Sequence, residues 1–176
     1  MNYYKKEQFI AQVDKKGNIL GAVEKWEAHK KGILHKAFSV TLVYKNLYIL
    51  QHRKHPVFDG VFDVSCSSHQ LMKKGKLEPD NIAIIKTLKR EWKIDESHIS
   101  KIQNIGVTYY REKDITSKFI EHELCDQFLI KIKKLPEINR TYAYGYSLVT
   151  LEELKNKRSR IWKNLAPWSK KAVVLL

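Results

Sequence analysis

The sequence has few cysteines and no long apolar run. Cys66 and Cys125 are the two cysteines in 176 residues, too few for the disulfide framework of a small secreted domain. No stretch approaches the roughly 20 apolar residues that a membrane-spanning helix needs. Residues 1–16 contain no apolar run of signal-peptide length. We therefore expect a cytoplasmic protein that does not enter a membrane.

Acidic residues are scarce relative to basic ones. The chain has 33 Lys and Arg against 19 Asp and Glu, a formal net charge of +14. Such a field attracts anions, whether phosphorylated small molecules, nucleic acid or acidic membrane surfaces. The basic residues are spread along the chain, and no arginine-rich tract, zinc-finger spacing or aromatic RNA-binding motif accompanies them. We expect no specific nucleic-acid partner, and a solvated surface of biased composition is the plainer explanation of the charge.

Short apolar runs separated by turn signals predict a domain rich in strands. The length suits a single domain, which we place over residues 1–176. Strands are predicted over residues 9–13, 19–23, 38–44, 47–51, 61–64, 99–110, 119–130 and 143–149. Residues 24–37 and 73–76 are predicted to be connections. Many strands flanked by a few helices indicate an α/β or α+β fold.

Two helices are predicted, over residues 81–93 and 151–163, with a tail after residue 166. In the first, Asp80 is expected to cap the amino end. Its apolar face is predicted to consist of Ile82, Ile85, Leu88 and Trp92. Glu91 lies near the carboxyl end, where the helix dipole disfavours a carboxylate, so a cationic partner is expected there.

Glu121 and Glu123 lie two residues apart in a predicted strand and therefore share a face, roughly 7 Å apart. Two carboxylates on one face of an apolar strand repel each other unless a cation or proton lies between them. A solvated face is the usual explanation of one such pair. Here, however, the chain also offers three histidines in or near loops: His29, His35 and His69. These five side chains could fill most of an octahedron around Zn²⁺, Mn²⁺ or Mg²⁺.

Three segments resemble the type I isopentenyl-diphosphate isomerases, a family of the Nudix superfamily. Residues 24–40 (EKWEAHKKGILHKAFSV) are similar to that family's first metal-binding segment, Ser68-His69 to its next, and 121–123 to its last. The resemblance runs from about Val13 to Trp168 and is weaker between Gln51 and Ile94. It implies a Nudix α/β/α sandwich around a mixed β-sheet.

The resemblance also implies a set of ligands and contacts. The five residues above would hold one divalent metal ion, Mn²⁺ or Zn²⁺, and Glu91 would help to hold a Mg²⁺ ion bridged to the substrate's diphosphate. Lys25 and Arg53 would contact that diphosphate, and Lys54 would take the place of a further family lysine. Tyr110 and Trp168 match aromatic residues around the isoprenoid chain, where π faces stabilise a carbocation. Core packing explains these two aromatic residues equally well.

The family reaction moves a double bond by adding a proton to one carbon and removing one from another, which requires two acid/base groups. In the family these are the second glutamate of Glu-x-Glu, here Glu123, and a cysteine two residues before the third histidine. That second position holds Ser67 here. Cys66 precedes it and could substitute only if the backbone slips or bulges, because neighbouring strand residues face opposite ways.

Three functions therefore stay open. The first is an isomerase using Glu123 with Ser67 or Cys66. The second is a metal-dependent hydrolase of a small diphosphate compound, using Glu91, Glu121 and Glu123. The third is a non-catalytic relative that keeps the metal for folding or sensing. Residues 86–91 (KTLKRE) retain one of the three carboxylates in the usual Nudix helix, Arg-Glu-x-x-Glu-Glu, and this depletion fits the isomerases better than a hydrolase.

Overall fold

The computed structural model of the chain describes residues 3–176. Its strands are β1 (Phe9–Val13), β2 (Ile19–Glu24), β3 (His35–Tyr44), β4 (Leu47–Arg53), β5 (Phe62–Asp63), β6 (Cys66–Ser68), β7 (Met72–Lys73), β8 (Lys76–Leu77), β9 (Gln103–Lys113), β10 (Ile120–Lys131) and β11 (Ala143–Val149). Its α-helices are α1 (Lys25–Lys31), α2 (Asp80–Trp92), α3 (Leu151–Lys155), α4 (Arg160–Asn164) and α5 (Pro167–Val174). None of these helices is long and apolar enough to span a bilayer.

The strand β3 is the centre of a mixed sheet. It pairs antiparallel with β1, β4 and β6, and parallel with β10, which in turn pairs antiparallel with β9. The parallel register sets Glu123 opposite His35, and the β3–β6 register sets Ser67 opposite Ser39. The predicted mixed α/β layering is confirmed, and one strand brings residues from three distant segments together.

Both faces of β3 are buried. Phe38, Val40 and Leu42 pack with Leu88 and Trp92 of α2 in the largest apolar cluster. On the opposite face, a smaller cluster combines Ala37, Tyr110, Cys125, Ala166 and Trp168. A strand buried on both faces is usually a continuous apolar run, but β3 departs from that pattern because the buried Ser39 and Thr41 alternate with its apolar residues.

Residues 25–31, predicted to be a connection, form helix α1. The Glu24 side chain accepts a hydrogen bond from the Glu27 amide at 2.8 Å and caps the amino end. Gly32 ends the helix in the left-handed conformation at φ 64°, which glycine adopts without strain. The prediction was wrong because the buried residues of α1 are Lys25, Ala28 and His29, which give no apolar periodicity.

The prediction for helix α2 was right for Leu88 and Trp92, which are buried, but wrong for Ile82 and for the cap. Ile84 is fully buried, whereas Ile82 is 41 % exposed. Asp80 accepts a hydrogen bond from Gln70 at 2.9 Å, and the cap residue Pro79 provides no side-chain bond. Several isoleucines lie close together in this stretch, so tertiary packing rather than hydrophobicity decides which of them is buried.

Two predictions near the carboxyl end were also wrong. Residues 151–163 form α3 and α4 rather than one helix, since Ser159 accepts a hydrogen bond from the Trp162 amide at 3.0 Å and starts a new helix. The predicted tail contains α5, in which Pro167 occupies the first turn, where its missing N–H costs nothing. Residues 73–76 turn between β7 and β8.

Two isoleucines of α2 provide a matched test of this packing. Replacing Ile84 with alanine removes a fully buried side chain and should lower the free energy of unfolding by about 2–5 kcal/mol. Ile82→Ala, on the exposed face of the same helix, should cost less than about 1 kcal/mol. Urea unfolding followed by circular dichroism measures both, and equal losses would contradict the observed face.

Candidate active site

Three histidines and one glutamate converge on one point. The ligand atoms of His29, His35, His69 and Glu123 all lie within 4.8 Å of one another. The residues come from α1, the first position of β3, the residue after β6, and β10. The sheet creates this cluster, because parallel pairing places Glu123 beside His35.

Backbone carbonyls fix the tautomers of two of the histidines. Nδ1 of His29 lies 2.6 Å from the carbonyl oxygen of Lys25, and Nδ1 of His35 lies 2.7 Å from that of Ile33. Because a carbonyl only accepts, each Nδ1 must carry a hydrogen, so in the neutral form of each ring the lone pair lies on Nε2.

The lone pair of His35 provides a test of metal binding. Its buried Nε2 lies 3.4 Å from Glu123 Oε1 and has no hydrogen-bond partner within residues 3–176. A buried acceptor without a donor is costly, and a cation would satisfy it. Metal-ligating histidines commonly donate their other N–H to a backbone carbonyl, as this one does. The cluster therefore fits a divalent metal ion.

Glu121 adds a fifth side chain at the edge of the cluster. Its Oε2 lies 3.3 Å from Nε2 of His29, and the residue is 5 % exposed. Glu123 is equally buried, and its Oε1 lies 2.9 Å from Nε2 of His69. The structure thus brings together all five predicted metal ligands.

The electrostatics of the cluster favour a cation. Burial disfavours the ionised form of Glu123, but neighbouring His35 and the Tyr110 hydroxyl outweigh burial and lower the pKa of this carboxyl. Burial, together with the nearby His35 and His29, holds the pKa of His69 well below its usual value. An ionised carboxylate beside a neutral imidazole is the form in which both residues bind a metal ion.

The cluster forms one wall of a cavity whose remaining walls consist of Arg53, His55, Ser67, Ser68, Tyr110 and Trp168. The rings of Tyr110 and Trp168 are nearly parallel, with centroids 6.0 Å apart. Both residues are buried. They line the cavity and also belong to the smaller apolar cluster that contains Ala37, Cys125 and Ala166. The hydroxyl of Tyr110 donates to Oε2 of Glu123, and burial raises the pKa of Tyr110 well above its usual value.

Ser67 and Cys66 lie on opposite faces of β6. Ser67 lines the cavity, whereas Cys66 is fully buried in the largest apolar cluster, the one that contains Leu88 and Trp92. The pairing of β6 with β3 is regular, with Ser39 opposite Ser67 and Val40 opposite Cys66. Since the slip that would bring Cys66 into the site is absent from this stretch, we withdraw it as a catalytic candidate.

The predicted diphosphate contacts differ in position. Arg53 reaches the cavity, and its Nη1 donates to Asp63 Oδ2 at 2.9 Å. Lys25 is buried, with Nζ 4.7 Å from the centre of the Trp26 ring. Lys54 is exposed outside the cavity, with its Nζ near the Tyr144 ring, so the structure does not bring it to the site.

Glu91 is buried in the last turn of α2 but does not line the cavity. Its two carboxylate oxygens accept hydrogen bonds from Arg90 at 2.8 Å and from Gln51 at 3.1 Å. Arg90 provides the cationic partner expected from the helix dipole.

The sequence analysis missed Asp63. This residue is fully buried and accepts hydrogen bonds from four side chains: Arg53, Ser67, Trp168 and Ser169. A carboxylate between Phe62 and Val64 in a short strand is itself a signal, because a buried charge needs partners.

Comparison with known proteins places this site in a family. No family model matches the chain. The isopentenyl-diphosphate delta-isomerase 2 of Homo sapiens is 31 % identical over 179 residues, covering 92 % of this chain and 79 % of the relative.

Two crystal structures show the same fold at 14 % identity. DR0079 from Deinococcus radiodurans has a TM-score of 0.67, covering 96 % of this chain and 97 % of that one. A MutT NUDIX hydrolase from Burkholderia pseudomallei has a TM-score of 0.59, covering 81 % and 98 %. The sequence comparison agrees with the resemblance noted in the metal-binding segments: the chain belongs to the isopentenyl-diphosphate delta-isomerase family.

Proposed function

We propose that the protein interconverts isopentenyl and dimethylallyl diphosphate in a reaction that depends on a divalent metal ion. The observation that carries this proposal is that Glu123 and Ser67 line one cavity beside the histidine cluster. These are the two positions that the family reaction requires for proton addition and removal.

The residues proposed to hold the metal ion are His29, His35, His69, Glu121 and Glu123. Mn²⁺ and Zn²⁺ suit the mixed imidazole and carboxylate ligands. The expected Mg²⁺ contact of Glu91 is not supported, because Glu91 lies outside the cavity and both of its oxygens accept hydrogen bonds from Arg90 and Gln51. When bound, such a cation stabilises negative charge and holds the anionic substrate in place.

In its protonated form, Glu123 is proposed to give its proton to the substrate's methylene carbon, which leaves the carboxylate that the neighbouring side chains stabilise. The Tyr110 hydroxyl donates to Oε2 of this carboxylate and holds it in position. Positive charge then develops on the branched carbon, and the π faces of Tyr110 and Trp168 stabilise it. Ser67, on the same cavity, receives the proton that leaves the neighbouring carbon.

Arg53 and Lys25 are proposed to bind the diphosphate. Arg53 Nε is buried without a hydrogen-bond partner within residues 3–176, so it is available to an oxygen of the substrate. Charge-assisted hydrogen bonds of this kind are about twice as strong as neutral ones.

A diphosphate hydrolase is the second candidate, because the fold is shared with a MutT NUDIX hydrolase and Glu91 is retained in α2. Both oxygens of Glu91 are already bonded to Arg90 and Gln51. Residues 86–90 offer no further carboxylate to activate water. The isomerase is therefore the better supported function.

A single assay separates these functions. The chain, supplied with isopentenyl diphosphate, Mg²⁺ and Mn²⁺, should form dimethylallyl diphosphate without releasing phosphate, as followed by proton and phosphorus NMR. Released phosphate would favour the hydrolase, and no product at all would favour a binding protein without catalysis.

Metal binding is tested with two histidines that lie near β10. His35→Ala should weaken Mn²⁺ or Zn²⁺ binding at least about a hundredfold, because it removes a ligand rather than an outer contact. His122→Ala is the control, since His122 bonds to Gly32 and Tyr109 rather than to the cluster. Metal content after dialysis, measured by mass spectrometry, should fall below one ion per chain in His35→Ala alone. Equal retention in both variants would contradict the proposed site.

Glu123→Gln tests the proposed double role of that carboxylate. The variant keeps the shape of the side chain but has no ionisable carboxyl group, so it can neither bind the metal as a carboxylate nor transfer a proton, and both bound metal and turnover should fall. Turnover is expected to drop on the order of a hundred- to ten-thousandfold. A variant that keeps both its metal content and its rate would show that Glu123 has neither role.

A further inference from the structure

Asp63 is hydrogen-bonded to Ser67 but does not itself line the cavity. Its Oδ2 accepts a hydrogen bond from Arg53 Nη1 at 2.9 Å, and its Oδ1 accepts one from Trp168 Nε1 at 2.8 Å. Guanidinium and indole nitrogens donate and never accept. Both oxygens of Asp63 therefore act as acceptors, and the group is a carboxylate.

This carboxylate fixes the direction of a chain of hydrogen bonds. Since Asp63 only accepts, the hydroxyl of Ser67 donates to its Oδ1, at 3.2 Å. Ser39 Oγ lies 2.8 Å from Ser67 Oγ and must be the donor of that bond, because the Ser67 proton is already committed. The Ser67 proton thus points to Asp63, and a lone pair of Ser67 is left for the cavity that it lines.

The hydrogen bonds on the other side of Ser39 are consistent with this direction. Gln127 Nε2 donates to the sulfur of Cys125 at 3.2 Å, and that sulfur lies 3.4 Å from Ser39 Oγ. Because the Ser39 proton is committed to Ser67, the thiol is the donor in the bond between Cys125 and Ser39, and the backbone oxygen of Asp126, 3.8 Å from the sulfur, is its alternative acceptor. Four buried or half-buried side chains support the orientation of one hydroxyl.

We propose that Asp63 is the positioning residue that lets Ser67 serve where the family has a cysteine. This inference rests on the proposed isomerase function. As the C2–H bond of the substrate carbocation breaks, its electron pair forms the C2–C3 double bond and its proton bonds to Ser67 Oγ. The original Ser67 proton passes to Asp63 Oδ1, leaving a serine hydroxyl and a neutral carboxyl. The reverse reaction returns both protons.

The need for Asp63 follows from the chemistry of serine. A thiol can hold or release a proton near neutral pH, whereas a serine hydroxyl barely ionises. Serine can therefore accept a proton only while it hands its own to another base. Asp63 accepts a hydrogen bond from the Ser67 hydroxyl and is placed to take that proton, and a carbon–hydrogen bond beside a carbocation is acidic enough to drive the transfer.

Asp63→Asn, made with and without Ser67→Cys, tests this relation. With Ser67 present, Asp63→Asn should lower kcat for isomerisation at least about a hundredfold while KM changes only a few-fold. In the Ser67→Cys background the loss should be less than about tenfold, because the thiol does not need the carboxylate. Asp114→Asn is the control: Asp114 is a buried carboxylate bonded to Phe58, Thr116 and Ser117, and its effect should be the same in both backgrounds.

Equal losses from Asp63→Asn in the two backgrounds would show a merely structural role and overturn the inference. Absence of isomerisation by the unmodified chain would instead overturn the proposed function, and the inference with it. Circular dichroism establishes whether each variant folds.

Asp63→Asn removes the carboxylate partner of the buried Arg53 and could prevent folding. A second variant therefore provides an independent test. Ser67→Ala keeps the Asp63–Arg53 pair. In deuterium oxide it should incorporate deuterium at the methylene carbon of recovered isopentenyl diphosphate faster than it forms product, since proton addition through Glu123 survives. Isomerisation by Ser67→Ala at the unmodified rate would overturn the inference.

Discussion

The rest of the site depends on two acidic side chains that are buried side by side. Glu121 and Glu123 share one face of β10 and are 5 % and 4 % exposed. Buried carboxylates that repel each other need positive charge or donors nearby. The chain surrounds this pair with three imidazoles, two of which are oriented by backbone carbonyls so that their lone pairs are free. The acidic side chains and the imidazoles together provide the ligands that a divalent cation requires.

The backbone around the cluster holds the histidines in position. Gly32 ends α1 in a left-handed conformation that returns the chain into β3 at His35. A side chain at this glycine would meet Ile120 at 3.2 Å as well as being strained, so glycine is required on two grounds. The strand β3 then places Ser39 beside Ser67 and His35 beside Glu123. The strand β3 therefore pairs with both β10 and β6, the strands that hold the proposed proton-transfer residues Glu123 and Ser67.

The parts of this structure that sequence could predict are those with local signals. The hairpin of β3 and β4 and the shared face of Glu121 and Glu123 follow from two-residue periodicity and turn chemistry. Helix α1 was missed because its buried face is polar, and the buried isoleucine of α2 because neighbouring isoleucines are chemically equivalent. The bonds from Trp168 and Ser169 to Asp63 span more than a hundred residues, a separation at which no local pattern operates.

The position of Asp63 offers a physical explanation for the serine that replaces the family's cysteine, because a buried carboxylate lies where it could accept the proton of Ser67.

The proposed metal site depends on one arrangement, in which five side chains bind a single cation. Crystals grown with Mn²⁺ or Zn²⁺, measured at the metal's absorption edge, test it most directly. We predict one anomalous peak about 2.0–2.3 Å from Nε2 of His29, His35 and His69 and from one oxygen of each of Glu121 and Glu123. A metal-loaded crystal with no peak at that point, or with its metal bound elsewhere, would contradict the account.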